Sequence, residues 1–142
     1  MAVTYHTEDV QMPSLARSIL PAWIREVAAS YGKKCGEIAY IFCSDEKILE
    51  VNRHYLQHDY YTDIITFDYT EKDRISGDLF ISLDTVQTNA QHYGTAYEEE
   101  LHRTMIHGIL HLCGINDKGP GERERMEAAE NKALALLKNL TG

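Results

Sequence analysis

The chain has 142 residues, 44% apolar and 25% charged, values typical of a soluble globular protein and sufficient for one domain with its own core. Its net charge of −8 excludes a generic basic nucleic-acid coat but leaves room for a local basic groove. No run approaches the roughly 20 apolar residues of a membrane span, and no basic, apolar leader opens the sequence, so a cytoplasmic protein without membrane partners is expected.

No repeat, low-complexity segment or linker interrupts the sequence, which predicts one domain over 1–142. Val3 to Val10 reads as a first strand. Leu15, Ile19, Trp23, Val27 and Tyr31 step by four, the pattern of an amphipathic helix stopped by Gly32, with Pro21 kinking or splitting it. Glu37 to Cys43 is a strand of β-branched and aromatic residues, after which Ser44 caps a helix running to about Tyr55. Asp63 to Tyr69 and Gly77 to Ser82 are two further strands. A helix over Asp84 to His92 is broken by Gly94, and Thr95 with Glu98 spells a capping box for the next one. That helix turns apolar almost all round in its second half, the signature of a buried helix. Met126, Ala129, Ala133, Leu136 and Leu140 mark an amphipathic final helix. The alternation predicts an α/β fold with a small mixed sheet. Cys35, Cys43 and Cys113 are odd in number and lack a C-x-x-C spacing, against a disulfide framework; Cys113 reads as a small buried hydrophobe.

The chemistry concentrates in His107-Gly108-Ile109-Leu110-His111-Leu112-Cys113-Gly114-Ile115-Asn116-Asp117. Histidines four apart on a helix lie within about 40° of each other around its axis. Gly114 can take the left-handed conformation that ends a helix and returns Asp117 toward the two imidazoles. Two nitrogens and a carboxylate leave one coordination position open, as in catalytic rather than structural zinc sites. Asn-Asp beside Lys-Gly is also good turn chemistry, so a plain turn role for Asp117 stays open. His102, five residues before His107, falls about 140° away and should not join the pair. The ligand spacing, with a glycine between, matches the metzincin proteases, but Gly108 stands where those enzymes carry the glutamate base. Peptide hydrolysis by that route is disfavoured, and another metal-assisted hydrolysis remains open.

This stretch resembles the YbeY family of bacterial ribosomal-RNA maturation endonucleases, whose pattern H-G-x-L-H-L-x-G-x-D-H is matched by His107, Gly108, Leu110, His111, Leu112 and Gly114. Asn52, Tyr55, Asp59, Thr62, Asp63 and Phe67 follow a second family pattern, and Gly77 to Ser82 resembles its G-D-I strand. The last family histidine aligns with Asp117, and the arginine after the tyrosine is Leu56 here. The resemblance implies an endoribonuclease preferring single strands and acting in ribosomal-RNA maturation and ribosome quality control. It further implies an α/β fold with the metal helix lining a cleft, and one divalent metal, zinc by its donors, on His107, His111 and Asp117. Single-stranded or ribosomal RNA is the implied partner, together with the ribosomal subunit or assembly proteins. Arg53 and His58 are the candidates to hold phosphates, Arg53 having also a surface role to weigh. The rival functions are a zincin-like metalloprotease and a non-catalytic ribosome-assembly factor with a structural metal.

Overall fold

In the computed structural model, which describes residues 2–56 and 62–141, the four expected strands form one sheet. They are β1 (Ala2–Thr7), β2 (Lys34–Cys43), β3 (Ile64–Asp68) and β4 (Arg74–Ser82), in the spatial order β1-β2-β4-β3. β1 and β4 both run parallel to β2, while β3 pairs antiparallel with β4, which makes the sheet mixed. The helices are α1 (Leu20–Ala29), α2 (Asp45–Leu56), α3 (Leu83–Tyr93), α4 (Tyr97–Leu112) and α5 (Glu122–Thr141). None is long and apolar enough to cross a membrane.

Alternation along the strands divides these helices between the two sheet faces. Ile38, Tyr40 and Phe42 of β2 and Ile75, Leu79 and Ile81 of β4 join α1, α4 and α5 in the main core. Phe80 points the other way and, with Ile65 and Phe67 of β3, covers Ile48 and Val51 of α2 in a second, smaller core. Two buried hydrogen bonds tie the main core across elements: Trp23 Nε1 donates to the Ala133 carbonyl at 2.7 Å, and Tyr40 Oη to that of Met105 at 3.0 Å.

The helix α4 sits against the sheet at two glycines. A Cβ on Gly108 would collide with Leu79 Cδ2 and come within 2.9 Å of Ile64 Cδ1. One on Gly77 would lie 2.7 Å from the Phe67 carbonyl oxygen and 3.2 Å from Leu112 Cδ2. The residue that separates this helix from the zincin pattern is therefore a packing residue, and its place is filled by Leu79.

Three local expectations are corrected. Residues before Leu20 form turns rather than helix, because Pro21 lies in the first turn of α1, where its missing N–H is harmless. Strand β1 ends at Thr7 rather than Val10, since Asp9 takes a left-handed φ of 56°. Thr95 does not cap α4: the N-cap is Ala96, without a side-chain cap bond. The Thr95 N–H still bonds the Ala90 carbonyl at 2.9 Å, finishing α3, so its hydroxyl is committed to neither helix. The other elements lie where expected, though β2 and β4 begin three residues earlier, at Lys34 and Arg74, and Ser44 Oγ accepts from the Lys47 N–H at 3.2 Å as a cap should.

Gly108→Ala should destabilise the fold by about 1–3 kcal/mol through overpacking, read as a lower denaturant midpoint at unchanged slope. An alanine variant as stable as wild type would show that Leu79 yields freely. A second prediction concerns His102, which is buried edge-on to Trp23 with ring centroids 5.9 Å apart. Burial lowers its pKa, against the weaker pull of Glu98. A folded pKa below the unfolded value of about 6.5 means that the unfolded chain takes the proton first, so this contribution is full above that pH and declines below it. His102→Phe should flatten the loss of stability on acidification below about pH 6.5; an unchanged pH slope would count against a neutral core histidine.

Candidate active site

The last turn of α4 shows how the local sequence places its side chains. The Gly114 N–H bonds the His111 carbonyl at 3.0 Å and the Ile115 N–H reaches back to Leu110 at 3.1 Å, a Schellman ending that needs the left-handed φ of 100° found at Gly114. The reversed chain then brings Asp117 Oδ2 to 3.4 Å from His107 Nε2. On the other side of the same ring, Glu130 Oε2 of α5 lies 2.7 Å from Nδ1. His107 is thus held between two carboxylates, one from the return loop and one from the final helix.

Of the three expected metal ligands, the structure brings His107 and Asp117 together. His111 is half-buried and is joined to neither by a hydrogen bond or ion pair among the described residues. Among those residues no three His, Cys, Asp or Glu side chains gather as a metal-holding group. Asp117 meets the first histidine, and His111, four residues on, lies about 6 Å further along the helix axis. The pair itself fits a metal. Two donors about 2.0–2.1 Å from a tetrahedral zinc are separated by about 3.3–3.4 Å, close to the 3.4 Å between Nε2 and Oδ2. A carboxylate behind the opposite ring nitrogen, as Glu130 is here, is the usual support of a metal-binding histidine.

The pair opens on a cleft of about 530 Å³. Five carboxylates line it (Asp63, Glu100, Asp117, Glu127 and Glu130) against two guanidiniums, Arg103 and Arg123. Burial raises the pKa of Asp63, with the charge of His107 opposing it, and raises that of Glu100, with Arg103 opposing it. For His107 burial acts against the charged ring but is outweighed by the hydrogen bond and charge of Glu130, to which Asp63 and Asp117 add. The net shift is upward. The cleft attracts positive charge, whether a proton on His107 or a cation, and repels an unaccompanied phosphate.

Arg53 is exposed on α2, whose packed side meets the sheet face opposite α4. His58, and Asp59 of the second motif, lie outside the described residues. His102 stays with Trp23, away from the pair, as its angle on the helix required. Cys113 is half-buried rather than fully buried, packed on the main core, and burial pushes its thiol up to about 11, so it is protonated at neutral pH and no nucleophile. Sequence reasoning passed over Glu130, Glu100 and Arg103. For Glu130 a signal was present: it occupies the buried line Met126, Glu130, Ala133, Leu137 of α5, where a charge at helical spacing among apolar residues calls for a partner. Asp63 was recognised within a motif but given no role.

The same chain is similar to known proteins over nearly its whole length. The profile of the endoribonuclease YbeY family matches residues 2–138. Endoribonuclease YbeY of Bacteroides thetaiotaomicron is 75% identical over 136 residues, covering 96% of this chain and 99% of the relative. That of Porphyromonas gingivalis is 53% identical, covering 99% and 93% respectively. A solution structure from Thermotoga maritima shares the fold with a TM-score of 0.65 at 24% identity, over 96% of this chain and 89% of the other. The chain belongs to the endoribonuclease YbeY family.

Proposed function

We propose that this protein is a metal-dependent endoribonuclease that cuts single-stranded RNA during ribosomal-RNA maturation and quality control. Its cleft around His107 is the active site, and it works in the cytoplasm with ribosomal subunits or assembly proteins as partners. The observation that carries this reading is the separation of His107 Nε2 and Asp117 Oδ2, set for two donors of one cation in a cleft dominated by carboxylates. Family membership supplies the RNA substrate.

Electrostatics gives the reason for a cation. Five carboxylates against two guanidiniums would repel a phosphodiester, and a divalent ion held by the His107–Asp117 pair, with His111 recruited as a third donor, would reverse that sign locally. When bound, the metal, zinc by its nitrogen and carboxylate donors, lowers the pKa of a coordinated water and polarises a phosphoryl oxygen. The chain does the rest. Arg123, on the cleft wall and without an ion pair or hydrogen bond among the described residues, holds a phosphate. Tyr93, also on the wall and 61% exposed, offers a ring face for an unstacked base, which suits single strands over duplex. Arg53, on the other side of the sheet, meets only RNA that runs past the cleft, and His58 is proposed to help hold that strand. Peptide hydrolysis of the zincin kind lacks both its glutamate and the room for one, since Leu79 fills the space beside Gly108.

Cleavage of a fluorescent single-stranded RNA should stop on chelation and return with added zinc, and Asp117→Ala should lower it by at least 100-fold while the protein remains folded. Casein should stay intact throughout. Undiminished RNA cleavage by Asp117→Ala would overturn the site. Separately, Arg123→Ala should weaken RNA binding and reduce its salt dependence by roughly one phosphate contact, whereas Arg53→Ala should change either much less. The opposite ranking would move the phosphate site to α2.

A further inference from the structure

Glu130 is a carboxylate on an apolar stripe. It is 9% exposed and shares the buried line of α5 with Met126, Ala133 and Leu137, where a leucine would pack without desolvating a charge. Two groups hold it there. Arg103 Nη1 donates to Glu130 Oε1 at 3.0 Å, and Arg103 Nη2 donates to Asn131 Oδ1 at 2.7 Å, so the guanidinium is fixed by two neighbouring residues of α5. Oε2 is left for His107, whose Nδ1 lies 2.7 Å away.

We propose that Glu130, braced by Arg103, is a positioning residue that keeps His107 in its Nδ1–H tautomer and presents the Nε2 lone pair to the cleft beside Asp117. A carboxylate already accepting from a guanidinium takes a proton donor at its second oxygen, which selects Nδ1 as the protonated nitrogen of the neutral ring. With Nδ1 engaged, only Nε2 is free to bind a cation, and the ring cannot flip without losing the bond. The 3.4 Å from Nε2 to Asp117 Oδ2 is longer than a normal hydrogen bond, so that lone pair is uncommitted. Arg103 spans from α4, the helix of His107, to α5, so the orientation of the ring is set by the packing of two helices rather than by a mobile loop.

The proposal rests on the reading of His107 as a cation ligand, and the test separates the two. Nitrogen-15 NMR of the neutral His107 ring in the metal-free protein reads the tautomer, and competition with a chromophoric chelator reads zinc affinity. Wild type should carry the proton on Nδ1. Glu130→Leu, which suits the apolar stripe, should lose that preference and bind zinc about 10–100-fold more weakly, without a matching fall in melting temperature. Glu130→Gln, still able to accept, should recover part of both. If the stranded Arg103 prevents Glu130→Leu from folding, the double variant Arg103→Met, Glu130→Leu removes it and is expected to show the same loss. A tie that only packs α5 on α4 would move the melting temperature and leave tautomer and zinc affinity as they were; that result, in either leucine variant, overturns the proposal. Should the wild type bind no zinc, the metal reading fails while the tautomer still decides whether Glu130 positions the ring.

Discussion

The close approach of α4 to β3 and β4 is the constraint on which the site depends. Gly108 leaves room for Leu79, and Gly77 accommodates Leu112 about one turn further along the seam, so the helix packs closely on the sheet at both glycines. That seating fixes the height of His107 above the strands and points it away from the second core, where α2 packs. A side chain at position 108 would lift the helix and shift the imidazole with it. The glycine that looks like a missing catalytic residue beside the zincin pattern is, in this fold, what seats the helix and with it His107.

Around that fixed imidazole the molecule collects negative charge. Asp63 arrives from the residue just before β3, Glu100 from the start of α4, Asp117 from the return loop and Glu130 from α5. Burial alone would neutralise several of these groups, and it raises the pKa of Asp63 and Glu100. The ring of His107 and the guanidinium of Arg103 oppose that tendency. Such an arrangement is costly for stability by itself, and three of the acids, Glu130, Asp63 and Asp117, favour the charged ring of His107.

The departures from the family pattern acquire a spatial meaning here. Asp117, in place of a histidine, is the residue that meets His107, so the substitution retains a donor where the geometry uses one. Arg53, the candidate to replace the arginine missing at Leu56, lies exposed on α2 and is not among the described residues that line the cleft; positive charge comes to the cleft wall from Arg103 and Arg123, on two other helices. One of these is engaged with Glu130 and Asn131, and the other lines the opening without such a partner among the described residues.

The order of elements, the mixed α/β class, the buried second half of α4 and the turn at Gly114 were all legible in the residues, because each is set by periodicity, capping or backbone sterics over a few neighbours. The pairing of Asp117 with His107 was legible too, as one helical ending followed by a short return. Local patterns misjudged Pro21 and Thr95, where the register of a helix start decided the role of the residue. Whether His111 joins the pair depended on how far along α4 the loop returns, a distance that spacing in sequence does not contain. Glu130 and Arg103 are 23 and 4 residues from His107, and nothing in their spacing announces that α5 folds back to place one carboxylate oxygen on the ring and the other on the guanidinium. The sequence by itself determined which segments become helix and strand and which side chains offer metal chemistry. Only the packing of α5 against α4 decided which carboxylates reach the histidine, since that contact joins residues whose proximity arises from burying two apolar faces together and not from any local rule.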